Sequence, residues 1–526
     1  MTENFLAQAF GKSQVYTDIK NKLFKEYNVK KGLRNEDGTG VRVRLTKVSD
    51  VVGYEVIDGV KNNVPGSLYY RGYNINDIVN EHPEGTNGYE EVMFILLFGY
   101  LPSKKEFEKF LKIIRGMYTL PDDFLEASLL RMPGHNLMNV MQRAVLNLYT
   151  YDEEPDNVEV FPTLVKGLSI ASKLPAIMCY AYHSKKHYYD RKSLFIHYSN
   201  ENYSIAENIL YMLRADKIFT EKEAALLDTL LLLHADHGGG NNSTFTNVVV
   251  SSTGTDIYSS ITASIGSLKG PKHGGANVSV TKMMECILNE VGYTDDETAI
   301  CNIINKLLDK DFYDQSGLIY GFGHAVYTIS DPRAELLKNF CRDVAEEKGR
   351  LREYEFYVQF ENLVKQVIFE RKGYTISNNV DYYSGFAYEM LNIPRELFTP
   401  LFVCARCVGW IAHNIENKLY DGRIMRPATK YVGQFNEYIK IKDRKRIKIY
   451  KAAVLNELPI WRRVLLFFKR ITVFSKPDYI SGFFSSIIFK CRIMLFGSIY
   501  IAVSKHIGYK VNITGFFVEI GAVGTS

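Results

Sequence analysis

Between about residue 75 and residue 230 apolar positions recur at helical spacing, so this stretch predicts a stack of helices. Phe94-Ile-Leu-Leu-Phe closes on Gly99, a helix stop. Pro102-Ser103-Lys-Lys-Glu opens the next helix with Ser103 as its N-cap. Leu226 to Leu233 is a very apolar run and predicts a buried helix. Residues 41–72 differ. Val41-Arg-Val-Arg-Leu, Gly53-Tyr-Glu-Val-Ile-Asp and Ser67-Leu-Tyr-Tyr-Arg alternate and are separated by Gly, Asn and Pro, the mark of short strands in a ribbon. Residues 5–30 read as an amphipathic helix. No internal repeat or low-complexity linker interrupts the pattern. The body is therefore mostly α, with one short N-terminal β ribbon.

The end of the chain breaks the pattern. Trp461 to Phe474 alternates basic and apolar clusters, and Tyr479 to Ser504 is apolar except for Lys490 and Arg492. Two charges in mid-span make a membrane-crossing helix costly. A basic, apolar surface segment can still lie on an anionic membrane, and membrane contact through this tail is kept as the weaker reading. Charge follows the same division. Residues 441–526 hold 15 Lys and Arg against 4 Asp and Glu, and the rest hold 49 against 55, so the overall +5 describes neither part. A chain of 526 residues is long for one small domain and suggests two or three. Its seven cysteines are odd in number and scattered, unlike a secreted disulfide framework. Met1-Thr2-Glu3-Asn4 begins no basic and apolar leader. A reducing, cytoplasmic location is expected. Cys404-Ala-Arg-Cys407 lacks a second ligand pair and reads as apolar helix positions, not a zinc site.

Four segments concentrate the chemistry: His234-Ala-Asp236-His237-Gly-Gly-Gly, Gly270-Pro-Lys-His273-Gly-Gly-Ala-Asn277, Gly321-Phe-Gly323-His324-Ala-Val-Tyr followed by Asp331-Pro-Arg333, and Asn379-Val-Asp381-Tyr-Tyr-Ser-Gly385. Glycines let the backbone turn sharply and let a ligand approach. His273 precedes a helical run, Val278 to Leu288, and a helix N-terminus lowers a histidine pKa. A neutral imidazole that donates to a carbonyl is a good electrophile for enolisation. Asp381, desolvated among Val380, Tyr382 and Tyr383, is a stronger base than a free aspartate. Together they suit proton abstraction next to a thioester carbonyl. Arg333, Arg406 and Arg426 sit near proline or in apolar surroundings, and a small dicarboxylate is one partner for them. The blander readings are weaker. His234 and His237 lack a third metal-ligand motif, and Gly321-x-Gly323 lacks the third glycine of a dinucleotide loop.

The four segments in this order, with Leu68-Tyr-Tyr-Arg-Gly-Tyr73, resemble the citrate synthase family from about residue 35 to about residue 440. The resemblance implies a mostly α, two-domain fold. A large domain would span 1–273 and return at 386–440, a small domain would span 274–385, and the two would close on substrate. It implies condensation of acetyl-CoA with oxaloacetate in the tricarboxylic acid cycle, then hydrolysis of citryl-CoA. His273 would polarise the acetyl carbonyl, Asp381 would take the methyl proton and His324 would polarise the oxaloacetate ketone. His237, Arg333 and Arg406 would hold oxaloacetate, with Arg426 supplied across a homodimer. The loop at Gly321 and Gly323 would receive the CoA adenine. Acetyl-CoA is a substrate, so no cofactor or metal is implied, and no nucleic acid. Two alternatives use the same scaffold: 2-methylcitrate synthesis from propionyl-CoA, and a non-catalytic, membrane-attached binder. The binder has no use for a proton-abstracting pair. Residues from about Lys445 onward lie beyond the resemblance, and 441–526 are set apart as a basic, apolar tail.

Overall fold

The computed structural model describes residues 18–444 apart from 37, 59, 83–86 and 421, together with residues 6, 7 and 10 and the backbone of three strands between 499 and 522. By contacts it divides into Asn28–Thr429 and a second unit made of Met1–Tyr27 and Lys430–Ser526.

In the first unit, strands β1 (Ser49–Ile57), β2 (Val60–Tyr70) and β3 (Tyr73–Asn74) form an antiparallel ribbon in that order. The register slips between Val52 and Tyr54, and Val64, Pro65 and Gly66 of β2 have no opposite partner there. Proline has no N–H to give a ladder, and a bulge is where that loss is tolerated. The sequence pattern broke the strand at this proline; the structure carries it through. The bulge is also a seat. The Gly66 N–H donates to Ser330 Oγ at 3.1 Å, and a Cβ at Gly66 would lie 2.1 Å from the Ser330 carbonyl oxygen. The segment after His324 thus rests on the ribbon. The first predicted strand, Val41 to Leu45, does not form. Arg44 pairs with Glu416 at 2.7 Å and the Lys47 N–H donates to the same carboxylate at 2.6 Å, so this stretch is strapped to the last long helix.

The predicted helices form with the expected signals. Gly99 ends Gly88–Phe98 at φ 88°, and Ser103 and Glu106 close a reciprocal capping box on Lys104–Gly116. Glu221–His234 is buried from Glu223 to its end, as its apolar run requires. Phe398–Tyr420 is buried almost throughout, with Cys404 and Cys407 among its core residues. It packs on Val160–Asp190, a helix of 31 residues. That helix is long and apolar enough to cross a membrane by composition, yet 72% of its most apolar window is buried in the fold, so core packing accounts for it. Val380–Met390 packs against both Ala276–Val291 and Pro332–Glu347. This places the Asp381 helix against the helix that His273 precedes.

The second unit contains the short helix Asn21–Glu26 and an antiparallel meander of Ile499–Ala502, Tyr509–Thr514 and Phe517–Ala522. Of the helix expected over residues 5–30, residues 18–20 and 27–30 are not helical, and most of residues 5–17 lie outside the described residues, as does the run from Trp461 to Phe474. The Tyr479 to Ser504 run is described only at its strand.

Candidate active site

His273 sits in a turn closed by its own N–H to the Gly270 carbonyl (2.9 Å), three residues before Ala276–Val291. Its Nε2 lies 3.3 Å from the Ser243 N–H and 3.0 Å from Ser243 Oγ, whose hydroxyl donates to Asn241 Oδ1. A backbone N–H can only donate, so Nε2 accepts and the ring proton is on Nδ1. Trp410 Nε1–H donates to the same serine oxygen at 3.2 Å and locks it. Burial, then the nearby Arg406 charge, lower the His273 pKa to about 4. The sequence predicted this direction from the helix N-terminus; burial is the larger cause.

His324 is the mirror case. Its Nδ1 accepts from the backbone N–H groups of Val326 and Tyr327, both at 3.0 Å, which leaves the proton on Nε2. Its ring stacks on Tyr327 at 4.6 Å and meets His237 edge-on at 5.0 Å. Burial, then Arg333, lower its pKa to about 4. His237 is driven down further by burial and by Arg333, and its Nε2 is buried without a protein partner. His234, by contrast, is turned inward. Its Nδ1 meets the Leu230 carbonyl at 2.7 Å, so the pair His234 and His237 does not converge on one point.

Both buried arginines belong to this group. Arg333 makes a two-pronged pair with Asp331 (Nε 3.0 Å, Nη2 2.7 Å), which raises its pKa despite burial. Arg406 is 1% exposed, gives Nε–H to the His234 carbonyl at 2.6 Å and lies over the Phe402 ring at 4.6 Å. Among the described residues no carboxylate lies within salt-bridge distance of it. Burial lowers its pKa to about 10, and its charge is felt at His237, His273, Asp236 and Asp381. A buried guanidinium with no carboxylate against it suits an incoming anion.

Asp381 occupies the first turn of Val380–Met390, and its N–H is capped by Asn379 Oδ1 at 3.1 Å. Desolvation raises its pKa to about 6, and Arg333 opposes the rise. Asn379 also ties this turn to the His324 loop. Its Nδ2–H donates to the Gly323 carbonyl (3.0 Å) and its N–H to the Gly321 carbonyl (2.8 Å). Gly321 takes φ 86°, and a Cβ there would meet the Tyr382 ring at 2.9 Å, so the loop can lie on this helix only without a side chain.

The structure thus gathers His237, His273, His324, Arg333, Arg406 and Asp381, with Gly321 and Gly323 forming the loop beside them. Arg426 is not gathered: it is exposed in the segment after Phe398–Tyr420, next to Met425, whose N–H donates to Ser252 Oγ at 3.1 Å. Sequence reasoning missed the supports. Ser243 sets the His273 tautomer, and Asn379 clamps two segments. Ser49, Gly238 N–H (3.0 Å) and His413 Nε2 (3.2 Å) all meet Asp236 Oδ2, beside His237. Asn379 carried an N-cap signal; Ser49 and His413 carried none.

A family model described as "Citrate synthase, C-terminal domain" matches residues 37–428. The chain is similar to the citrate synthase of Haloferax volcanii, 35% identical over 375 residues, 70% of this chain and 90% of that one. It is similar to citrate synthase 2 of Bacillus subtilis, 35% identical over 392 residues, 73% and 95% of the two chains. Among solved structures it is similar to the citrate synthase of Thermoplasma acidophilum, determined as a ternary complex with carboxymethyl coenzyme A and oxaloacetate. That match has a TM-score of 0.64, 26% identity, and covers 79% of this chain and 99% of that one. With the model match spanning most of its length and its helices arranged as above, the chain belongs to the citrate synthase family.

Proposed function

We propose that this protein condenses the acetyl group of acetyl-CoA with oxaloacetate and hydrolyses the resulting citryl-CoA to citrate and CoA. One observation carries the reading: at neutral pH the buried set holds a neutral His273 with its proton on Nδ1 and an Asp381 carboxylate that is still ionised, both feeling the Arg406 charge. His273 Nδ1–H donates to the thioester oxygen while Asp381 takes a methyl proton, giving an enol. The enol carbon adds to the ketone carbon of oxaloacetate, whose oxygen accepts from His324 Nε2–H. Arg333, Arg406 and His237 hold the oxaloacetate carboxylates. Water then splits the thioester. The Gly321 and Gly323 loop takes the adenine end of CoA, and no cofactor enters.

The same reading has residues 274–385 close as a small domain on 1–273 and 386–440, excluding water from the enol. It also has two copies form a homodimer in which Arg426 serves the partner's oxaloacetate site. Thiol detection of released CoA with oxaloacetate and either acetyl-CoA or propionyl-CoA tests it. Faster release with acetyl-CoA is expected. Preference for propionyl-CoA assigns methylcitrate synthesis instead, and no release with either removes the catalytic reading. Co-refolding Arg426→Ala with Arg333→Ala chains should yield activity above the sum of the parents, and its absence places Arg426 outside the site.

A further inference from the structure

A second crevice, of about 340 Å³, opens on the outer side of the His273 turn. Residues Lys185, Lys269, Lys282, Arg395 and Glu396 supply its charges. Two of the cations are already answered: Lys185 pairs with Glu396, and Arg395 is held between Glu285 and Glu389. Lys269 and Lys282 have no carboxylate within salt-bridge distance among the described residues. Three helices also begin here, since Asn136 and Leu137, Val278, and Thr399 and Pro400 all line it. Gly275, which precedes Ala276–Val291, offers its first N–H groups no side chain, but the Val278 N–H is met by Asn277 Oδ1 at 2.8 Å. Two unpaired lysines at one crevice, whose lining carboxylate Glu396 is already paired with Lys185, give it a positive field.

We propose that this crevice binds a small phosphate-bearing ligand. Lysine ammonium groups suit the tetrahedral oxygens of phosphate; the one planar fork that would favour a carboxylate, Arg395, is occupied. The site is separate from the catalytic groups but continuous with their support. Lys269 and Lys282 flank the segment that carries His273, and Thr399 Oγ1–H donates to the Gly274 carbonyl at 2.7 Å. A ligand bridging the two lysines therefore spans the outer side of the His273 turn.

The test is calorimetric titration of the full-length protein with inorganic pyrophosphate at constant ionic strength, with and without saturating CoA. Binding is expected in both conditions. The double variant Lys269→Ala/Lys282→Ala should lose it by about tenfold or more, because each lysine contributes an ion pair to a highly charged ligand. A charge-matched control, Lys105→Ala/Lys109→Ala on the exposed face of Lys104–Gly116, should bind as the parent does. Turnover without pyrophosphate should be unchanged in both variants, which also shows that they fold. Absence of binding to the parent overturns the proposal, as does equal loss in the control. Displacement of pyrophosphate by CoA also overturns it, because the lysines would then serve the substrate.

Discussion

Asp236 and Asp381 are two aspartates in one core, both close enough to Arg406 to feel its charge, yet their carboxyls are pushed in opposite directions. Burial alone raises both. At Asp236 it is outweighed by the His413 imidazole, by Arg406 and by the Ser49 hydroxyl, and this carboxyl falls well below the usual range. At Asp381 no side-chain or backbone donor meets the carboxylate among the described residues, Arg333 and Arg406 offset burial only in part, and the pKa rises to about 6. The number of donors, not depth, separates a structural carboxylate from a reactive one. A carboxylate held by donors and a neighbouring imidazole, as Asp236 is at Oδ2, does not take a proton readily; one with no donor does.

Removing the reactive member should have the largest effect. Asp381→Asn should lower kcat by at least about a hundredfold with little change in oxaloacetate affinity, because it removes the base and leaves the anion site intact. Steady-state kinetics with calorimetric oxaloacetate binding check it, and a near-normal rate would break the comparison. Asp236→Ala should cost stability instead, by about 3 kcal/mol, since it leaves His413 and Ser49 buried without their partner. Urea unfolding measures it, and a loss below about 1 kcal/mol would mean that the network is dispensable.

The pH dependences should also diverge. Activity needs Asp381 ionised, so kcat/KM should fall toward tenfold per unit below an apparent pKa of about 6. Stability follows the opposite sign at the two sites. The folded pKa of Asp381 lies above the unfolded value near 3.8, so the folded state binds this proton more tightly, and the group adds stability as pH falls from about 6 toward 3.8. Asp236 is depressed, so its stabilisation is present above 3.8 and is lost as pH falls below it. Asp381→Asn should accordingly be slightly more stable than the parent at pH 7, and Asp236→Asn less stable. Thermal melts across pH on the two variants check both signs, and parallel curves would sink the argument. The smallest effect is expected from truncation after Arg444. Every residue assigned a role precedes that point, so melting point and turnover should hold at matched salt, with improved solubility from loss of the apolar, basic stretch. Collapse of either would make the tail part of the enzyme.

What the sequence determined was local. Helical spacing, the Ser103 cap and the Gly99 stop act through neighbours three or four residues away, so the elements were legible, as were the glycine-flanked histidines. Even Asp381 showed its apolar setting in Val380, Tyr382 and Tyr383. The failures mark where local rules end. Val41 to Leu45 alternates like a strand, but Arg44 and Lys47 answer Glu416 from a helix far along the chain. Pro65 looks like a strand break and is a bulge, because Ser330 fills the space that it opens. Tertiary structure alone decided which nitrogen of His273 carries the proton, through Ser243, and which aspartate is silenced, through Ser49 and His413. The reason is physical. Secondary structure is set by backbone hydrogen bonds between near neighbours, whereas protonation is set by burial and by donors that only the folded chain brings within 3 Å or so.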